Sequence, residues 1–403
     1  FSPLFLIMQH NLMTDIPTLA FWLGSIGAFL WATETGKTRL YAASAVLQTA
    51  AMLTSYQSLA LTPLLGFYHV RRGRDRKGRW SLLFAPLILA VWYGINCLHY
   101  RRLLFGMTLD YIESRSPLSW SVLGTKLFSV FEYQGWLILF PFFIFYVLAR
   151  GLKGRAPALA LLGALYLAQA WVPEYRAADK AIFVFGLAAG FFVALEMGRV
   201  LYNACRGEKN GLPDRARAED QFLGLWFFGV LFYCVVLLTE GSARYILPLV
   251  PPFVICYFRR LETAEAAEYR LPPRTLNSAM AASGSLVVTL VWGLVLSHAD
   301  LEFARIYPRA ARQFAGISGA APAYGAGEWG FRYYLGTAGA RPLPADESTV
   351  RGGSFIAIPK LALPHDMPAG LSSMTLPVEV RTYRPGTPVR IMDCETAAGF
   401  YST

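Results

Sequence analysis

Four short polar groups interrupt or border long apolar runs, and the residue types that could do chemistry gather in them. The first is His10-Asn11-Leu12-Met13-Thr14-Asp15-Ile16-Pro17. Asp15 carries two readings that can hold together: a helix N-cap with proline in the first turn, or an acidic site residue facing the outer leaflet. The second is Tyr56-Gln57, in the middle of an uncharged stretch from Leu40 to Val70. It is either a solvated turn or a pair that hydrogen-bonds a phosphate or sugar against a protein-lined cavity. The third is His99-Tyr100-Arg101-Arg102 at the end of a span. Guanidinium forks match phosphate oxygens, and the same residues serve equally as interfacial snorkels. The fourth runs from Glu240 through Arg244-Tyr245 to Pro248 and Pro251-Pro252. Arg244 is either an interfacial anchor or a phosphate contact. Glu174-Tyr175-Arg176 faces the same cavity or forms a surface ion pair.

The elements that must position these groups are membrane helices. Of 403 residues, 55% are hydrophobic and 16% charged, and mean hydropathy is +0.39. Soluble domains average about 25% charged residues. A spanning helix needs about 20 apolar residues. Residues 81–98, 181–198, 221–239 and 277–297 reach or approach that length, and 18–33, 135–149, 157–172 and 245–258 are shorter. The stretch 40–70 is too long for one span and reads as two short helices with a polar tip. The expectation is a mainly α, polytopic protein of about ten spans, with a membrane domain over 1–298. Residues 299–403 read as a small soluble α/β domain. It has β-type runs at Ser354–Ile358 and Pro377–Val380 and a helix near 300–314.

Basic residues set the orientation. One alternating set of loops holds twenty Lys and Arg, the other seven. The richer set, led by Arg71 to Arg79, reads as cytoplasmic, which puts the tail and the four polar groups on the outer face. The loop 98–126, rich in Trp, Tyr and Leu with Arg and Glu, reads as an interfacial helix. The net charge of +11 is thereby assigned to topology, and no nucleic-acid partner is expected. Five cysteines form no CxxC pair and no metal-ligand spacing. The apolar run at Phe1 is read as the interior of a longer protein, with at least one span upstream.

Several motifs are excluded. Thr35-Gly36-Lys37-Thr38 resembles the end of a P-loop, but Trp31 stands where that motif needs glycine. No HExxH, GxSxG or Asn-x-Ser/Thr is present. The sequence is also read as having no GxGxxG after a strand, so no soluble nucleotide site is expected.

Taken together, Met13-Thr14-Asp15-Ile16-Pro17, the split run ending in Tyr56-Gln57 before Ala60-Leu61-Thr62-Pro63, and Arg244-Tyr245-x-x-Pro248 resemble the GT-C superfamily of membrane glycosyltransferases. The branch is that of dolichyl-phosphate-mannose protein mannosyltransferases and bacterial aminoarabinose transferases, and the resemblance covers about residues 1–300. It implies transfer of a sugar from a polyprenyl-phosphate donor to a hydroxyl of a lipid, glycan or protein at the outer face of a bacterial inner membrane. It implies that Asp15 lies in the active cavity as base, or as the group orienting the acceptor or a divalent metal ion, with a further acid upstream of Phe1. Arg244 is the foremost donor-phosphate residue, with Tyr245, Gln57, Tyr56, Arg101, Arg102 and His10 around it. The family's lysine in the split run is replaced here. Two rival classes are a transporter or lipid flippase, which calls for paired broken helices and internal symmetry, and a structural membrane subunit whose tail binds a partner.

Overall fold

The computed structural model describes residues 3–8, 14–73, 75–101, 119–139, 177–206, 214–238, 242–266, 278–344, 346–362, 367–383, 386, 389–392 and 399. The described chain is mostly helical and divides into two compact units, Phe1–Gly293 and Leu294–Thr403.

The first unit opens with a short helix α1 (Pro3–Met8) and α2 (Asp15–Thr35). Pro17 is tolerated because it falls in the first turn of α2. Gly36 ends the helix in the left-handed conformation, φ 66°, its N–H returning to Ala32 O. The chain reverses into α3 (Thr38–Thr54). Ser25 and Ser44 let the two helices approach closely: Ser44 Oγ donates to Ser25 O at 2.9 Å, and Ser25 Oγ to Ser44 O at 3.2 Å. Small hydroxylated residues at such crossings replace the hydrophobic drive that lipid does not supply.

The expected hairpin over 40–70 is present. A 3-10 turn, Tyr56–Ala60, joins α3 to α4 (Leu61–Tyr68), which continues as a π-turn, His69–Gly73. Helix α5 (Arg76–Tyr100) is capped by Asp75, whose carboxylate accepts from Gly78 N at 2.6 Å. Next comes α6 (Trp120–Tyr133), capped by Ser119 and extended by a π-turn, Gln134–Leu139. Part of α6 lies in the stretch 98–126, a loop between spans expected to hold an interfacial helix; residues 102–118 of it lie outside the described residues. Helix α7 (Ala177–Cys205) crosses α6 through glycines. A Cβ on Gly190 would collide with Phe131 O, and one on Gly135 would collide with Gly186 O. Helix α8 (Asp214–Phe232) ends in a π-turn, Tyr233–Leu237. A 3-10 turn, Ala243–Leu249, leads into α9 (Val250–Ala266).

Among the described residues, five helices are long and apolar enough to cross a membrane: Asp15–Thr35, Arg76–Tyr100, Phe183–Cys205, Asp214–Leu237 and Ser283–Ser318. The expected spans at 157–172 and over most of 135–149 lie outside the described residues.

The second unit begins within α10 (Ser278–Ser318). The helix expected near 300–314 is the continuation of α10 rather than a separate element: the stretch between Gly293 and Gly316 holds no glycine, and the helix runs on through Pro308. Strands β1 (Ala323–Gly325), β2 (Arg341–Pro342) and β3 (Phe355–Ala357) form a parallel sheet in the order β2-β1-β3. Tyr324 pairs with Arg341 on one side and Ile356 on the other. Helix α11 (Trp329–Thr337) connects β1 to β2, and its Phe331 and Leu335 pack on Ala311, Ala340 and Ala362. A last helix, α12 (Ala369–Met374), precedes an extended segment. The strand expected at Pro377–Val380 has no regular secondary structure and no ladder partner among the described residues, and Val378 and Val380 are exposed.

Candidate functional site

Of the polar groups of the first unit, Asp15 and the Arg244-Tyr245 pair come near each other, where α2 packs against the turn Ala243–Leu249. Asp15 is the first residue of α2 and is buried, 8% exposed. It is not the N-cap: Thr14 holds that position and makes no side-chain capping bond. Burial of a carboxylate asks for a compensating charge, and the Arg244 guanidinium acts on it electrostatically.

Arg244 sits in the 3-10 turn Ala243–Leu249, which packs against α1, α2, α6 and α9. Its orientation is set locally. The guanidinium lies 4.6 Å from the centre of the Tyr245 ring, and Nη2 donates to the Tyr245 hydroxyl at 2.6 Å. A cation over an aromatic face is attracted by the ring quadrupole. The Tyr245 carbonyl accepts from Cys234 Sγ at 3.4 Å, which ties the turn to α8.

The remaining expected residues are distributed as follows. Gln57 is buried and Tyr56 half-exposed in the 3-10 turn after α3, and Tyr56 lies within electrostatic reach of Tyr93 in α5. Arg101 is exposed at the end of α5 with φ 53°, which fits the interfacial alternative. His10, Arg102, Glu174, Arg176 and Glu240 lie outside the described residues.

Two residues at this end were not expected from the sequence. Lys126, on α6, is 5% exposed, and its Nζ donates to Leu238 O at 2.6 Å, just past the π-turn of α8. It makes no ion pair among the described residues, an unusual condition for a buried cation. Gln134 opens the π-turn of α6, is fully buried, and has no partner for either amide atom among the described residues. Thr18, one turn along α2 from Asp15, and Ser58, next to Gln57, also have buried, unpartnered hydroxyls. Such atoms are few in proteins, and each calls for an explanation, of which ligand contact is one. The signal for Lys126 was its spacing with Ser129, Val130 and Tyr133, one buried helical face. It was obscured by reading that stretch as a loop.

Among the described residues no group of three or more His, Cys, Asp or Glu is assembled to hold a metal ion.

The second unit corrects one expectation. Gly325-Ala326-Gly327-Glu328-Trp329-Gly330 is a GxGxxG that follows β1 and opens α11. In dinucleotide sites these glycines admit a pyrophosphate to the helix N-terminus. Here they admit the protein itself. A Cβ on Gly327 would meet Pro359 Cγ at 2.4 Å, and one on Gly330 would meet Tyr307 Cδ2 at 2.7 Å. Glu328 N donates to Ala362 O at 2.9 Å, and the Glu328 carboxylate stands over the first turn, paired with Arg332. The triad is accounted for by internal packing.

No family model, no curated protein and no solved structure matches this chain.

Proposed function

We propose that this chain is a glycosyltransferase of the GT-C type. It moves a sugar from a polyprenyl-phosphate donor to an acceptor hydroxyl at the outer face of a bacterial inner membrane, through a body of about ten crossings. The observation that carries the reading is buried Asp15 within electrostatic reach of Arg244, where α2 packs against the turn Ala243–Leu249. The π-turns Gln134–Leu139 and Tyr233–Leu237 support it, since such turns are rare and frequent at functional sites.

In this reading the donor's isoprenoid lies along lipid-facing helix surface, and its sugar-phosphate enters the polar end. The acceptor oxygen attacks the anomeric carbon and the bond from that carbon to the phosphate oxygen breaks. Polyprenyl phosphate leaves with the bonding pair. The acceptor's proton passes to a carboxylate, with Asp15 as the base or as the group that orients the acceptor or a divalent metal ion. Arg244, oriented by Tyr245, meets the negative charge that grows on the leaving phosphate. Gln57 and Gln134 are suited to hydrogen-bonding sugar or phosphate oxygens.

The test is sugar transfer by the full-length protein in liposomes, with radiolabelled polyprenyl-phosphate sugars and with or without EDTA. Asp15→Asn should abolish transfer, and Arg244→Ala should weaken apparent donor affinity. Well-folded protein that neither binds nor turns over any donor would remove the reading in favour of a transporter.

A further inference from the structure

The end of the first unit opposite Asp15 holds two kinds of cation. Those on α7, α8 and α9 are matched with carboxylates. Arg199 pairs with Glu196, Arg217 with Asp214, and Arg259 with Glu219 and Asp220, while Arg215 pairs with both Glu34 and Glu219.

The cations around the turn into α5 are different. Arg71, Arg72, Arg76, Lys77 and Arg79 are all exposed, and none makes an ion pair among the described residues. The nearby acids are already engaged: Asp75 caps α5 through Gly78 N, and Glu34 is turned to Arg215. Lys77 Nζ reaches Gly36 O at 3.5 Å, which draws Lys37 and Arg39, also exposed and unpaired, to the same place. Membrane insertion favours positive charge on one side, but that rule does not require the charge to stay unpaired.

An apolar surface continues directly from these cations. Trp80 is 62% exposed, and Leu83, Leu87, Val91 and Ile95 follow at four-residue spacing along α5, each more than half exposed. Residues at that spacing share one helix face. A negative headgroup at the cations would therefore have its acyl chain beside this stripe, with Trp80 at the level of the interface.

We propose that the turn between α4 and α5, together with the outer stripe of α5, is a binding site for an anionic phospholipid. Clustered Lys and Arg just beyond a membrane helix attract anionic lipid, and arginine forks suit phosphate oxygens. The site stands independently of the glycosyl-transfer reading.

Delipidated full-length protein in detergent is titrated with phosphatidylglycerol, with phosphatidylcholine of the same chains, and with inorganic phosphate. Native mass spectrometry reads the bound lipid at low and high ionic strength. Phosphatidylglycerol should bind saturably where phosphatidylcholine does not, salt should weaken it, and inorganic phosphate should not displace it. Arg76→Gln and Lys77→Gln should each lower its affinity about fivefold, whereas Arg309→Gln in the second unit should leave it unchanged. Equal binding of the two lipids by the wild type overturns the proposal without any variant. Displacement by inorganic phosphate overturns the lipid assignment. A folded Arg76→Gln/Lys77→Gln protein that binds as the wild type does also overturns it.

Discussion

The Lys126 ammonium donates to the Leu238 carbonyl across 112 residues of sequence, at 2.6 Å and almost out of reach of solvent. The carbonyl belongs to the end of α8, so the lysine both satisfies a terminal acceptor and meets the negative end of the helix dipole. Five residues later, at Ala243, begins the 3-10 turn carrying Arg244. Lys126→Met is expected to cost about 1–3 kcal/mol, the usual loss when a buried acceptor goes unpaired. On the proposed function it also raises the apparent donor KM, and Lys126→Arg restores part of both. Thermal unfolding in detergent reads the first effect, and an unchanged melting temperature would count against this account.

The crossing of α6 and α7 predicts a graded response to one added carbon. Gly190→Ala makes a methyl collide with Phe131 O, so the helices must separate. Overpacking of this kind costs about 1–3 kcal/mol or more. Gly198→Ala, on the same helix, meets nothing nearer than Phe228 Cζ at 3.8 Å and should be tolerated. Similar stability of the two variants in side-by-side melts would contradict the crossing geometry.

A second prediction of graded size concerns the ion pairs at the Lys37 end. Glu219 accepts from Arg215 at 3.0 Å and pairs with Arg259 at 3.3 Å, linking α8 to α9. All three side chains are partly solvated, so the coupling is expected to be about 1 kcal/mol or less and to shrink as salt is added. A double-mutant cycle with Glu219→Gln and Arg259→Gln measures it. Coupling that is large and insensitive to salt would mean the pair is more deeply buried than described.

The tail supplies a pH dependence. The Ser348 side chain and, at 3.0 Å, Ser348 N both hydrogen-bond the Asp346 carboxylate, and these bonds, the side-chain one foremost, hold its carboxyl below the ordinary carboxylate value. A depressed folded-state value adds stability above the unfolded pKa of about 3.9, and that stability is lost as pH falls through the lower folded value. The protection of the amides across Glu347–Thr349, taken relative to the intrinsic exchange rate at each pH, should therefore fall as the solution is acidified below that range. Asp346→Asn should abolish the pH dependence. Identical exchange profiles for the two proteins would exclude this role for the carboxylate.

Sequence reading went furthest where one physical rule dominates. Apolar length located α2, α5, α8 and α10, and the polar tip in 40–70 turned out to be the 3-10 turn Tyr56–Ala60. It failed where the outcome depends on contacts between distant segments. Lys126 looks like a loop cation until Leu238 is brought to it. Asp15 looks like a cap because the cap geometry of Thr14 is not written in residue type. The glycines at 325, 327 and 330 went unrecognised because β1 has three residues, too few for an alternating pattern. The four motif groups were visible as groups, but that Asp15 lies within electrostatic reach of Arg244, and that Arg101 is at a helix end, is tertiary information.

The hairpin of α3 and α4 has a further consequence in its length. At about 1.5 Å per residue, the 17 residues of α3 rise about 25 Å. The return arm has 8 residues in α4 and 5 in the π-turn, which rise about 20 Å. Both fall short of a hydrocarbon core of about 30 Å. Lipid beside a short element thins to meet it, at a cost of fractions of a kcal/mol for each ångström of mismatch. The bilayer is therefore drawn down around Gln57, and a lipid headgroup arriving there sits deeper than its neighbours. An amphiphile should need less lifting out of its leaflet beside this hairpin than beside the longer helices α2 and α5.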